Sequence, residues 1–184
     1  MTPAEPWRPR FDLTPPGAAS PPAPPWSTSL WFNLPGAAST LQPADLRGRV
    51  VVLHTFQMLC RGCVFHGLPQ AQRLAATFDP HDVVVVGLHT VFEHHAAMTP
   101  VSLQAFLYEN RIGFPVGVDA AGDDARDPIP QTMRRYGLQG TPSPVLVDRA
   151  GRIRRSTFGA EEDLVVGAAV ATLVAEGGAG SGGE

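Results

Sequence analysis

Residues 50–56 read Val-Val-Val-Leu-His-Thr-Phe, a β-branched, apolar run of the kind that forms a buried strand. Residues 82–88 repeat the signal with Val83-Val84-Val85-Val86, apolar on both faces as inside a parallel sheet. Between them the spacing changes to that of a helix, from Cys60 to about residue 78, with Val64, Leu68, Gln72 and Ala75 on one face. Residues 100–110 predict a second helix, with Pro100 tolerated in its first turn. A short strand at 114–118 and a polar loop at 122–127 follow, then a helix near 129–136 that stops at Gly137. Residues 145–148 and 152–157 flank Arg149-Ala150-Gly151, a hairpin signal. The last helix covers 161–175, with acidic residues in the first turn, where the helix dipole favours them. With a short strand at 30–33 and a turn at 46–49, the order is β-α-β, an α-β insertion near 89–128, then α-β-β-α. That alternation predicts an α/β fold.

Both ends break the pattern. Residues 1–28 include Pro15-Pro16, Pro21-Pro22 and Pro24-Pro25, and so many fixed φ angles and missing amide donors predict a disordered or polyproline-like arm. Residues 177–184, Gly-Gly-Ala-Gly-Ser-Gly-Gly-Glu, predict a similarly loose tail, leaving one domain over 29–176. A chain of 184 residues can bury a sizeable core without disulfide staples. Its net charge of −3 gives no reason to expect nucleic acid or an anionic membrane as partner. No stretch reaches the ~18 apolar residues of a membrane span. The N-terminus also lacks the apolar run of a secretory signal, so a cytoplasmic location is expected, where thiols stay mostly reduced.

The only two cysteines, Cys60 and Cys63, sit three apart. A structural disulfide framework needs more cysteines at wider spacing, so the pair is catalytic or metal-binding. A closed zinc site wants four ligands, and no second CxxC or HxxxH pair follows. Cys60 follows a strand and opens a helix, where unpaired amide donors and the positive end of the dipole stabilise a thiolate, the nucleophilic form. Arg61 adds a cation of the same sign of effect. Cys63, one helical turn on, is placed to attack a mixed disulfide on Cys60 and release a reduced product.

The segment Phe56-Gln-Met-Leu-Cys60-Arg-Gly-Cys63 resembles the active-site segment of thioredoxin-like proteins. Gly140-Thr-Pro-Ser-Pro-Val-Leu-Val-Asp148, with Gly151-Arg-Ile153, is similar to their cis-proline strand and following hairpin. A longer match, over 29–175, is to the TlpA-like/redoxin branch, which adjoins the alkyl hydroperoxide reductase and thiol-specific antioxidant family. It includes Asp45-Leu-Arg-Gly-Arg-Val50, Ala105-Phe-Leu-Tyr-Glu-Asn110 and Phe114-Pro-Val116.

The resemblance implies a thioredoxin-like fold, a central mixed β-sheet flanked by helices. It also implies a thiol–disulfide oxidoreductase acting as a reductant, with Cys60 attacking, Cys63 resolving and a Cys60–Cys63 redox disulfide as product. Pro142 would be the cis-proline facing the pair, and the Thr141 backbone would pair with an extended substrate. His54 stands six residues before Cys60, where many thioredoxins carry a buried acidic residue that assists proton transfer; a hydrogen-bonded core histidine is the alternative. Substrates would be protein or small-molecule disulfides, electrons would come from a thiol reductase, and no organic cofactor is implied.

Three departures are visible. Leu59 replaces the usual aromatic residue, Arg61-Gly62 replaces a pair containing proline, and Pro144 adds a second proline at the strand start. A peroxiredoxin-like peroxidase, with Cys60 attacking a peroxide and Cys63 closing the disulfide, is a second reading. Its signature wants proline and threonine or serine where this chain has Leu53 and Gln57. A third, non-enzymatic reading is a metal- or thiol-sensing module using both cysteines with His89, Glu93, His94 and His95. Those four follow the 82–88 strand, and the parallel arrangement predicts that they lie over the cysteine pair, against the alternative of a solvated loop. His66 reads as a helix-surface residue, and Arg152, Arg154 and Arg155 as a solvated strand face.

Overall fold

A computed structural model describes residues 12–178, apart from residue 18 and residues 125–126. The chain builds β1 (Thr28–Phe32), β2 (Val50–Phe56), α1 (Leu68–Thr77), β3 (Val83–His89), α2 (Pro100–Glu109), β4 (Val116–Asp119), α3 (Gln131–Arg135), β5 (Ser143–Val147), β6 (Ile153–Ser156) and α4 (Asp163–Gly178). The strands form one mixed six-stranded sheet in the order β1-β4-β3-β2-β5-β6. β2, β3 and β4 run parallel, while β1 is antiparallel to β4, β5 to β2 and β6 to β5. β2, the most uniformly apolar run, lies between β3 and β5 and is buried at every position.

Strand alternation divides the core in two. On one face Val50, Val52, Phe56, Val83 and Val85 pack against α1, α2 and α4, represented by Leu74, Leu103 and Val170. On the other, Val51, Leu53, Val86, Leu88, Val145 and Val147 meet Trp26, Leu46, Tyr136 and Leu138. Pro144 is accommodated opposite His54 of β2. Its carbonyl, which accepts from the Thr157 amide at 3.2 Å, points to the β6 side, so its missing amide falls where β6 has just ended at Ser156.

The helix after the cysteines departs from the expected face. Residues 61–77 are helical, but Cys63–Gly67 form a π-turn, closed by the Leu68 amide donating to the Cys63 carbonyl. Pro69 has no amide to offer the Phe65 carbonyl and its ring would crowd it, which a widened turn relieves. One extra residue rotates the stripe. Cys63, Leu68, Ala71 and Leu74 are buried, while Gln72 is half-buried and Ala75 exposed.

The proline-rich arm is corrected as well. Residues 1–11 lie outside the described residues, but from Asp12 onward the chain is strapped along β6 rather than loose. Amides of the hairpin and of the strap supply the donors that proline lacks, and proline carbonyls accept: Ile153 N–H to Pro21 O at 2.8 Å, and Ala23 N–H to Gly151 O at 2.9 Å. Trp26, 3 % exposed, anchors the end of the strap, donating from Nε1 to the Tyr136 hydroxyl at 3.0 Å. The strap also overturns the solvated arginine face. Arg154 is 2 % exposed, donates to the Thr14 carbonyl, and pairs with Asp148 and Glu176; Arg155 pairs with Glu161. The glycine tail expected from residue 177 begins inside α4, and residues 179–184 lie outside the described residues.

Candidate active site

β2 ends at Phe56 and the chain turns at once into the helix. The Cys60 amide donates to the Gln57 carbonyl at 3.1 Å and the Val64 amide to the Cys60 carbonyl at 3.0 Å, so Cys60 is where extended backbone becomes helical. Cys60 is half-buried and Cys63 wholly buried. The Cys63 amide donates to Cys60 Sγ at 3.3 Å, and the Cys60 thiol donates to the Thr141 carbonyl at 3.5 Å.

The loop before β5 brings the second motif against the first. The Thr141–Pro142 peptide is cis. The Pro142 ring packs on Gly62, where an added Cβ would lie 3.2 Å from Pro142 Cδ and 4.0 Å from Cys60 Sγ. A Cβ there would be tight and would press the proline ring back by a few tenths of an ångström, so the approach favours a small residue in the second position between the cysteines.

The two thiols are unequal. Burial, and then the neighbouring Cys60 thiol, push the Cys63 thiol up to about 12, against smaller opposing effects of the Thr141 side chain and the Gln57 backbone amide. His54 lies on the same face of β2 as Phe56 and reaches the helix one turn beyond Cys63: an added Cβ at Gly67 would stand 2.5 Å from its Cε1 and Nε2. Burial lowers its imidazole to about 4, so it is neutral near pH 7, and its Nε2 has no hydrogen-bond partner. The hydrogen-bonded core histidine expected as the alternative is therefore not what Nε2 makes.

Cys60, Cys63, Thr141, Pro142 and His54 thus converge. Arg61 stands beside them, but its guanidinium is exposed and turned over the Phe65 ring, 5.8 Å from the centroid. Two exposed apolar side chains, Leu59 and Phe65, flank the pair along the chain, and a third, Phe158, comes from the segment after β6. Phe158 lies over Gly140, where a Cβ would come within 2.6 Å of its ring. No periodicity marks Phe65 or Phe158; apolar side chains beside a CxxC motif or past a strand end are the faint signal available.

The His89–His95 group divides. His89 is the last residue of β3, 1 % exposed, with its ring 5.3 Å from that of Phe56 and its Nε2 unpartnered. Glu93, His94 and His95 are exposed. The segment does emerge on the cysteine edge, since the Thr90 amide donates to the Phe56 carbonyl at 3.0 Å. Its side-chain tie to the cysteine turn is Gln57, a residue weighed in the sequence only for a peroxidase signature. Gln57 donates from Nε2 to Glu93 Oε1 at 3.3 Å and accepts from the Phe92 amide at 3.3 Å. Among the described residues no three of His, Cys, Asp and Glu gather as a metal site, and no helix is long and apolar enough to cross a membrane.

No family model and no curated protein matches this sequence. Solved structures do. A thioredoxin-like superfamily protein is 53 % identical, with a TM-score of 0.78, over 84 % of this chain and 97 % of its own. A thiol-disulfide isomerase from Corynebacterium glutamicum is 47 % identical, with a TM-score of 0.76, over 83 % of this chain and 96 % of its own. The thioredoxin domain of a thiol-disulfide oxidoreductase from Bacteroides vulgatus shares the fold at 17 % identity, with a TM-score of 0.61, over 82 % of this chain and 94 % of its own. With two relatives this similar over nearly their whole length, and with the cysteine turn facing the Thr141–Pro142 loop, the chain belongs to the thioredoxin-like superfamily.

Proposed function

We propose that this enzyme is a thiol–disulfide oxidoreductase that reduces disulfides through Cys60 and Cys63. The observation that carries the reading is the asymmetry of the pair: one thiol reachable from solvent, its partner sealed beneath it within one helical turn. In the reaction the Cys60 thiolate attacks one sulfur of the substrate disulfide, whose S–S bond breaks as the first substrate thiolate leaves and takes up a proton. The Cys63 thiol then loses its proton, its sulfur attacks Cys60 Sγ, and the second substrate thiol departs. The substrate gains two electrons and two protons, and the protein dithiol becomes the Cys60–Cys63 disulfide. An electron-donating dithiol restores it.

A thiol pushed up to about 12 resists losing its proton, so the second step needs a base. His54, one turn below Cys63, is the nearest group to receive that proton in this reading, and its burial, which holds the imidazole near 4, makes it a weak base and the resolving step the slow one. The Thr141 side chain and the Gln57 amide, which favour the anion on Cys63, assist. The Thr141 backbone, beside Cys60, is the edge on which an extended substrate pairs. A reducing, cytoplasmic setting belongs to the same reading and is supported by the lack of any cysteine beyond the pair.

Cys63→Ser provides the test. It should accumulate mixed disulfides on Cys60 with a protein disulfide such as insulin, whereas Cys60→Ser should accumulate none. Peroxide consumption measured on the same preparation addresses the peroxidase alternative. A wild-type chain that consumed peroxide but left insulin oxidised would overturn the proposal.

A further inference from the structure

Gln57 is a buried polar side chain, 1 % exposed, to which thiol–disulfide exchange assigns no part. It stands just past the end of β2, three residues before the attacking cysteine, and its carbonyl and both side-chain polar atoms are engaged. Its carbonyl accepts from the Cys60 amide at 3.1 Å. Its side-chain Oε1 accepts from the Phe92 amide, and its Nε2 donates to the Glu93 carboxylate. The backbone of this one residue holds the turn that begins Cys60, while its side chain holds the segment that leaves β3. Phe92 is half-buried and Glu93, His94 and His95 are exposed, so the segment so held forms a surface beside the turn that carries Leu59 and Cys60.

We propose that Gln57 is a positioning residue for docking of polypeptide disulfides: its side-chain amide clamps the Phe92–Glu93 segment as a surface beside the turn that carries Cys60. The inference rests on the oxidoreductase reading. A polypeptide is the substrate class concerned because only a chain extending away from its disulfide reaches that segment. A small disulfide needs Cys60 alone. Removing the clamp leaves the Phe92 amide and the Glu93 carboxylate to water and frees the segment to move, a loss felt in binding more than in chemistry.

The clamp is a donor–acceptor pair that can be reversed, which gives a sharp test. Kinetics with insulin and with the small disulfide hydroxyethyl disulfide would be measured on wild type, Gln57→Glu, Gln57→Leu, and Gln57→Glu combined with Glu93→Gln. Gln57→Glu sets two carboxylates against each other and should raise KM for insulin roughly three- to tenfold, with a smaller change in kcat and a smaller rise in KM for hydroxyethyl disulfide. The double variant restores the bond with donor and acceptor exchanged, and should bring KM back to within about twofold of wild type. Gln57→Leu should resemble Gln57→Glu. Should the buried substitutions prevent folding, Glu93→Ala removes half the clamp from its exposed end and should still raise KM for insulin selectively. Parallel losses with both substrates, or a double variant no better than Gln57→Glu, would overturn the positioning role while leaving the oxidoreductase reading intact. A wild-type chain that reduces neither disulfide would overturn both.

Discussion

Two histidines held neutral in the core make the stability of this protein depend on acid. Burial lowers His54 and His89 from the ordinary 6.5 to about 4. The unfolded chain takes up protons at both positions as pH drops below about 6.5, while the native state does not until about pH 4. Stability is therefore fully present above the unfolded value and is lost as pH falls between the two. Each group loses about 1.4 kcal/mol per pH unit across that window, or roughly 3 kcal/mol in total. Together they remove about 6 kcal/mol, a large part of the ~5–15 kcal/mol that holds a domain of this size folded. Asp119 acts in the opposite sense, since burial raises its carboxyl and so favours the native state as acid is added. Urea unfolding between about pH 7 and pH 4.5 would measure the slope. The control is His54→Gln with His89→Leu, which should flatten it over the same range. A wild-type slope no steeper than that of the double variant would refute the reasoning, because it would mean that the native state accepts both protons.

Two further outcomes follow from close contacts. Gly67→Ala should destabilise the fold by about 1–3 kcal/mol and slow resolution of the mixed disulfide, since its Cβ would stand 2.5 Å from the His54 ring; chemical denaturation and single-turnover reduction check the two effects separately. Arg154→Leu should cost about 1–3 kcal/mol, because it leaves the mostly buried Asp148 carboxylate without its guanidinium partner, while Glu176, 38 % exposed, turns to water. A loss under about 1 kcal/mol by urea titration would place that network among the energetically idle surface pairs.

What the sequence made legible had local causes. The valine runs of β2 and β3 announce central strands because both of their faces are apolar, and Cys60 and Cys63 announce redox chemistry because a strand, a turn and a helix meet at the motif. What it hid depends on distant partners. The rotated face of the first long helix turns on Pro69 and the π-turn, which periodicity reads through as if each turn were ordinary. His89 belongs to a strand rather than a loop because Phe56 pairs with it across the sheet. Gln57 looked neutral in the chain, since Phe92 and Glu93 lie 35 and 36 residues away. The arginines at 152, 154 and 155 crowd one short strand in a way that suggests solvent, yet Arg154 and Arg155 find carboxylates on α4 and on its approach.

The strap along β6 has a consequence for how the molecule behaves in a crowd. An edge strand ordinarily offers its free amides and carbonyls to any passing chain, and so seeds aggregation. Here the edge is occupied by a segment in which Pro21, Pro22, Pro24 and Pro25 have no amide to lend, so an incoming strand finds almost no donors to pair with. The prolines end the ladder on that side, much as a selvedge ends a weave. Cutting the chain just before Trp26 would bare the Gly151 carbonyl and the Ile153 amide, turning a closed margin into an open one, and self-association on light scattering would be the sign.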